Sequence, residues 1–418
     1  MAIPTTDRTS SGSAFAPFAI GTRGLRADDP RFISDGICLF TQDGTMLVAC
    51  IADTTTYTVP STCRIIGPEA FAYRRCLTRV NLPEGLERID DNAFFSCNAL
   101  ERADLPSSLR SIGNRAFFCT SITRFRIPKG LEHLGDAAIV SLAKLKENRV
   151  AECKRARKGA GLAFEAGYAG SVAEEDACNP GLPISVEPGN PWLRIENGFL
   201  CDVSDGQAPR VVFYAGNERE VTIPPGTVHV CDYALMGSSN TRVINVPASL
   251  RSIGDRALTL TRPPEYLRVK LPDGREMVLH PAPKLPGMYA CNRAFRQPEF
   301  DARQLARECD ASLVYTQATP ERDRRMIARL DNGVLLSDAM RERFVRIISE
   351  KLEETLRRCA RTDDLETLRS LVNARIVNRS NVARAIDIAN AEGGVPACHL
   401  LMEASRQLRG SRLSSLAL

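Results

Sequence analysis

The chain has 418 residues, more than the roughly 250 to 300 at which a single core usually stops growing, so two or three folding units are expected. An apolar content of 44% is that of an ordinary globular protein, and 55 basic against 50 acidic residues give a formal charge of +5, too mild to imply nucleic acid or membrane by itself. No stretch approaches the roughly 18 apolar residues of a membrane-spanning helix, so no transmembrane segment is predicted.

Residues 1–20 read as a flexible leader. Met1 to Gly21 carries one Arg and scattered Ser and Thr, without the apolar run of a secretory signal, which predicts a cytoplasmic protein. The 14 Cys contain no Cys-x-x-Cys and are read as reduced thiols.

From Gly36 to Pro60 strands are predicted: Ile37 and Leu39, a Gln42-Asp43-Gly44 turn with positive φ at both central residues, Met46 to Val48, then Tyr57 to Val59. Next, one pattern is written four times between Tyr57 and Ile139. Its prolines stand at Pro60, Pro83, Pro106 and Pro128, spaced 23, 23 and 22, and its Ala-Phe pairs at Ala70-Phe71, Ala93-Phe94 and Ala116-Phe117, ending in Ala138-Ile139. Self-similarity at this period marks a solenoid, whose units are too small to bury an apolar face alone and must stack. Strand alternation fixes the parity. Val80 and Leu82, Ala103 and Leu105, Phe125 and Ile127 face inward, joined by Leu86, Ile89, Phe94, Leu109, Ile112 and Phe117. Hairpin and first array occupy 21–140.

Residues 141–183 lose the repeat. Lys144, Lys146, Arg149, Lys154, Arg155, Arg157 and Lys158 precede a small-residue run, which reads as a basic helix and a linker. The pattern restarts over 184–283, from Asn197-Gly198-Phe199-Leu200 through Val211 to Tyr214, to Pro224 and Pro247, 23 apart, with Leu250, Ile253 and Ala257-Leu258 in register. Leu267 to Leu271, Pro272-Asp273-Gly274, Met277 and Leu279 predict a closing hairpin.

Residues 284–418 are expected to be a helical domain. Met340, Phe344, Ile347 or Ile348, Leu352 and Leu356 form one stripe of a long helix capped by Ser337. Thr362 can cap a second helix with Leu365, Leu368 and Leu371; a third carries Val382, Ile386 and Ala389 to Gly393-Gly394; a fourth starts near Pro396 with Leu400 and Leu401. The fold class is therefore α+β, two β-rich arrays followed by an all-α domain.

The run Val80-Asn81-Leu82-Pro83-Glu84-Gly85-Leu86, with Ile89 and Asn92-Ala93-Phe94-Phe95-Ser96-Cys97, resembles the BspA-like leucine-rich repeats of bacteria and some protists. The Asp-Gly and Asn-Gly lead-ins resemble that family's hairpins, and Val186 to Trp192 its usual entry. The resemblance implies a right-handed solenoid that binds proteins, often at cell surfaces. Cys359 to Glu403 is similar to ankyrin-type helix pairs, but the Thr-Pro-Leu-His turn is absent, so a helical cap is expected.

The outward residues Arg79, Asn81, Arg102, Asp104, Arg124 and Arg126 are the candidate partner-binding face, on strands about 4.8 Å apart. Cys97 and Cys119 are read as equivalent positions stacking as small buried thiols. The four His, at 133, 229, 280 and 399, have no neighbouring His or Cys at ligand spacing, and no triad or phosphate loop is written, so no catalytic residue, cofactor or metal is expected. Asp90-Asp91 and Asp363-Asp364 suit a turn and a helix start. The expected function is non-catalytic protein binding. The alternative is binding of nucleic acid or an anionic surface through 144–158 and the Arg-rich C-terminal helices; without aromatic interleaving, nucleic acid is not the expected partner.

Overall fold

A computed structural model describes residues 25–141, 182–204, 209–235, 238, 240–258, 260, 264–282 and 299–410. The expected leader and most of the basic segment, including all of 144–158, lie outside the described residues.

An antiparallel sheet opens the solenoid: β1 (Ile33–Ser34), β2 (Cys38–Phe40) and β3 (Met46–Cys50). Its turn differs in detail from expectation, because of its two central residues only Gly44 is left-handed, at φ 68°. Asp43 instead accepts hydrogen bonds from Thr41 Oγ1 and from Thr45 N at 2.6 and 3.1 Å, and so holds a longer loop.

Each following coil contributes a rung to two parallel sheets. β4 (Thr56–Thr58) and β5 (Ile65–Ile66) come from the first coil, and β6 (Arg79–Asn81) and β7 (Arg88–Ile89) from the second. The third gives β8 (Arg102–Asp104), β9 (Ser111–Ile112) and β10 (Phe117–Thr120); the fourth gives β11 (Phe125–Ile127), β12 (His133–Leu134) and β13 (Ile139–Ser141). The order β1-β2-β3-β5-β7-β9-β12 makes one long sheet and β4-β6-β8 a short one. The predicted parity holds: Val80, Leu86, Ile89, Leu109, Ile112 and Ile127 are buried, and Leu82, Ala103 and Leu105 are half-buried against the core.

The 23-residue step is set by what must align. Phe71, Phe94 and Phe117 stack with ring centroids 5.0 Å apart at each step, the spacing of adjacent rungs. The residue before each Ala pair is left-handed although none is glycine: Glu69, Asn92, Arg115, Ala137, Tyr233 and Arg256 all have φ between 51° and 58°. Coils approach so closely beside this corner that a Cβ at Gly113 would lie 2.4 Å from Asp91 Oδ1. A polar ladder runs along it, with Asn114 N donating to Asp91 Oδ1 at 2.6 Å and Asp136 N to Asn114 Oδ1 at 2.8 Å. The same register corrects one expectation. Cys119 (φ 59°) corresponds to left-handed Ser96 (φ 56°), not to Cys97, because the shortened 22-residue step falls after Ala116. Cys97 Sγ donates to Phe71 O at 3.0 Å instead.

The chain re-enters at β14 (Ile184–Val186), which pairs in parallel with β11. Asn190 then docks on the fourth coil, its Nδ2 donating to Pro128 O and Leu131 O at 3.1 and 3.0 Å. The second array repeats the plan of the first. An antiparallel unit of β15 (Leu193–Glu196), β16 (Phe199–Asp202) and β17 (Arg210–Tyr214) precedes the parallel rungs β18 (Glu220–Thr222), β19 (His229–Val230), β20 (Val243–Val246), β21 (Ser252–Ile253) and β22 (Tyr266–Lys270). Asn197 and Gly198, both left-handed, make the β15–β16 turn. β23 (Glu276–Leu279) closes the array as an antiparallel partner of β22. The apolar cluster of the first array takes in Leu193, Leu200, Val212, Phe213 and Cys231, so the arrays share a core at their junction.

Among the described residues, seven helices follow. α1 (Ala302–Tyr315) and α2 (Pro320–Asn332) were not foreseen, although Thr319 before Pro320 is a helix-start signal. Leu305, Ala306 and Cys309 of α1 cover the end of the second array, while Leu313 faces the helices. Thr319 Oγ1 accepts from Arg322 N at 3.1 Å. Thr319→Ala should therefore lower stability by about 1 kcal/mol in urea unfolding, as loss of such caps does.

The expected long helix is two, α3 (Asp338–Ser349) and α4 (Leu352–Thr362). Ser337 caps α3 as expected, accepting from Met340 N. The break at Glu350-Lys351 lets Phe344 and Ile348 on one side and Leu356, Cys359 and Ala360 on the other enter the same core from separate helices. Thr362 ends α4 and caps nothing. Asp364 caps α5 (Leu365–Asn373), accepting from Thr367 N at 3.2 Å, after Asp363 turns left-handed. α6 (Val382–Ala391) and α7 (Val395–Gly410) complete the bundle where Gly393 and Pro396 predicted.

Candidate functional site

Four of the six outward residues singled out in the sequence lie on strands of the short sheet, Arg79 and Asn81 on β6 and Arg102 and Asp104 on β8. In the pairing of β6 with β8, Arg79 stands opposite Arg102 and Asn81 opposite Asp104. All four are exposed, while Val80 between them is 1% exposed. Neighbours along each strand bond to one another. Arg102 Nε meets Asp104 Oδ2 at 2.7 Å, and Arg79 Nε donates to Asn81 Oδ1 at 3.0 Å. Asn81 Nδ2 donates onward to Thr58 Oγ1 of β4 at 3.0 Å.

The ladder does not continue as expected to the fourth coil. β8 is the last rung of its sheet, and β11 belongs to a separate pair with β14, so Arg126 faces Ser185 and not an extension of the Asn81–Asp104 column. Arg126 Nη2 bonds Glu187 Oε1 at 3.0 Å. Arg124 is exposed but precedes β11 and lies outside any strand. The single-residue shortening before Pro128 moves this coil off the ladder. The structure thus brings Arg79, Asn81, Arg102 and Asp104 together, with Arg124 and Arg126 flanking them.

A second cluster lies between the arrays, at the end of the polar ladder. Asp136 presents its carboxylate to Arg210 of β17, whose Nη1 lies 3.0 Å from Asp136 Oδ1. Nη2 of the same guanidinium donates to Leu134 O at 3.0 Å, on the edge rung β12, and to Asp202 Oδ2 at 3.1 Å. Ligand atoms of Asp136, His229 and Cys231 all lie within 4.8 Å of one another. Burial and the nearby carboxylate push the Cys231 thiol well above its ordinary value. His229 Nδ1 lies 2.7 Å from Ser252 Oγ. Sequence reasoning missed this cluster by finding no Cys near a His. His229 and Cys231, two residues apart, were the available signal, while Asp136 comes from the other array.

Several arginines of the helical region are paired within it. Arg324 pairs with Asp364, Arg325 with Glu321, Arg361 with Glu392 and Arg384 with Glu353, all between 2.6 and 3.1 Å. The 11 described cysteines are free thiols, and only Cys76 among them is exposed. No helix among the described residues is long and apolar enough to cross a membrane.

Residues 49–157 and 208–269 match the family described as BspA type leucine rich repeat region, in six copies. Solved structures to which the chain is similar include the pneumococcal vaccine antigen PcpA, 18% identical with a TM-score of 0.34, the match covering 56% of this chain and 58% of that one. A leucine rich cell surface protein from Faecalibacterium prausnitzii is 16% identical with a TM-score of 0.30, over 56% of this chain and 74% of its own. A leucine-rich repeat protein from Bacteroides capillosus is 24% identical with a TM-score of 0.23, over 26% of this chain and 94% of its own. The chain thus spans less than two thirds of the pneumococcal protein. No curated protein matches it.

Proposed function

Because its two arrays are BspA-type leucine-rich repeats, we propose that this chain is a non-catalytic scaffold that binds a protein partner through the outward face of β4, β6 and β8, flanked by β11. The observation that carries this reading is the in-register pair Arg79 and Arg102. Like charges on neighbouring rungs repel, and a merely solvated sheet gains nothing from them. Carboxylates on a partner would relieve the repulsion, and guanidinium groups can grip them in bidentate fashion. Four arginines on and beside the face, Arg79, Arg102, Arg124 and Arg126, outnumber the acids bonded to them, Asp104 and Glu187. The partner class is therefore a protein segment rich in Asp and Glu.

The test is affinity capture from lysate of the source organism with wild type and with an Arg79→Ala, Arg102→Ala, Arg124→Ala variant. The three side chains are exposed, so the variant should melt within a few degrees of wild type. It should lose at least one captured protein, since arginine at an interface centre carries a large share of binding energy. Capture should also weaken as salt rises. Equal capture of the same proteins by the variant would leave this face without a binding role.

A further inference from the structure

We propose that Asp136, His229 and Cys231 form a zinc site that staples the two arrays together. The ligand set is the first argument. A cysteine sulfur, an imidazole nitrogen and a carboxylate oxygen are the three donor types that zinc takes, and this combination does not suit magnesium or calcium, which prefer oxygen alone. The second is spacing. In a tetrahedral zinc site the donor atoms stand roughly 3.5 Å apart. The three atoms here already lie within 4.8 Å of one another, so side-chain rotations that shorten a separation by no more than about 1.3 Å would close them on one ion. Three protein ligands leave a fourth position for water.

Charge supplies the third argument. Asp136 and the buried Asp202 share one guanidinium, that of Arg210. With the Cys231 thiol ionised by the metal and Asp232 beside it balanced by Arg115, the remaining three anions would face one guanidinium and one dication, a neutral assembly. The surroundings also fit an outer shell. Arg210 engages only Asp136 Oδ1 of that carboxylate and leaves Oδ2 for the ion, while Ser252 Oγ, 2.7 Å from His229 Nδ1, fixes the ring plane. Finally, the position gives the ion a purpose. Asp136 closes the polar ladder of the first array, where no further coil amide follows, and His229 and Cys231 come from the second array, so binding would lock the junction that Arg210 spans.

The test uses the full chain, stripped with a chelator and titrated with zinc and with cobalt(II). One metal ion per chain is expected, with a thiolate-to-cobalt charge-transfer band in the near ultraviolet and a melting temperature that rises with free metal. Cys231→Ser should abolish the band. His229→Gln, at a half-exposed ring, should weaken affinity by about 10-fold or more without unfolding the chain, which its circular dichroism would verify. Ser252→Ala should weaken affinity while leaving the cobalt band in place. The proposal fails if the stripped chain takes up neither metal at micromolar concentration. It fails equally if folded His229→Gln and Cys231→Ser chains bind as wild type does, which would assign uptake to other thiols.

Discussion

Phe94→Ala is expected to destabilise the protein by about 3 to 5 kcal/mol, the range for truncating a buried aromatic side chain. Phe94 is 0% exposed and stacks between Phe71 and Phe117, nearly parallel to both, at 5.0 Å on each side. Removing the ring opens a void in the middle of the column and takes away two stacking contacts at once. Each coil is stabilised chiefly by its neighbours, so the loss should spread. Hydrogen exchange at the backbone amides of Phe71 and Phe94, which donate to Ala93 O and Ala116 O of the following coils, should speed up together. A measured loss under about 1 kcal/mol in denaturant would mean that the column is not what holds the coils in register.

Arg329→Ala should cost a comparable amount, about 3 to 5 kcal/mol, by leaving a buried carboxylate alone. Arg329 of α2 is 0% exposed, and its Nε and Nη2 lie 2.8 and 3.2 Å from the two oxygens of Asp310 in α1. Nη2 also donates to Val334 O at 2.8 Å, so the same side chain ties α1, α2 and the turn after α2 together. Burial raises the Asp310 carboxyl above its ordinary value even though Arg329 pulls it down. Without the guanidinium the rise must be larger, which sets a sign for the pH dependence. The folded variant would hold a proton that the unfolded chain releases above about pH 4, so its stability should fall as pH rises from there toward neutrality. Urea unfolding at pH 4.5 and at pH 7.5 measures this directly, and the gap from wild type should be wider at the higher pH. Arg329→Met combined with Asp310→Leu should recover much of the loss, because a packed apolar pair carries no desolvation cost. If the single variant is as stable as wild type at both pH values, the ion pair contributes nothing.

Much of the solenoid is written locally. A 23-residue step, prolines at the strand ends and strict alternation beside them determine which of Val80, Asn81, Phe94 and Ile112 faces the core, because stacked coils must put identical positions one rung apart. The same alternation placed Arg79, Asn81, Arg102 and Asp104 on the outside. What the sequence could not show is where stacking ends. A single missing residue before Pro128 takes Arg124 and β11 off the short sheet and pairs β11 with β14, from beyond residues 142–181. One apolar stripe likewise served two helices, since the periodicity of Met340 to Leu356 is unchanged by the break at Glu350-Lys351 that lets both helices enter one core. The meeting of Asp136, Arg210, His229 and Cys231 belongs to tertiary structure alone. Its members are up to 95 positions apart, and no local pattern encodes a contact made when the end of one array closes on the start of the next.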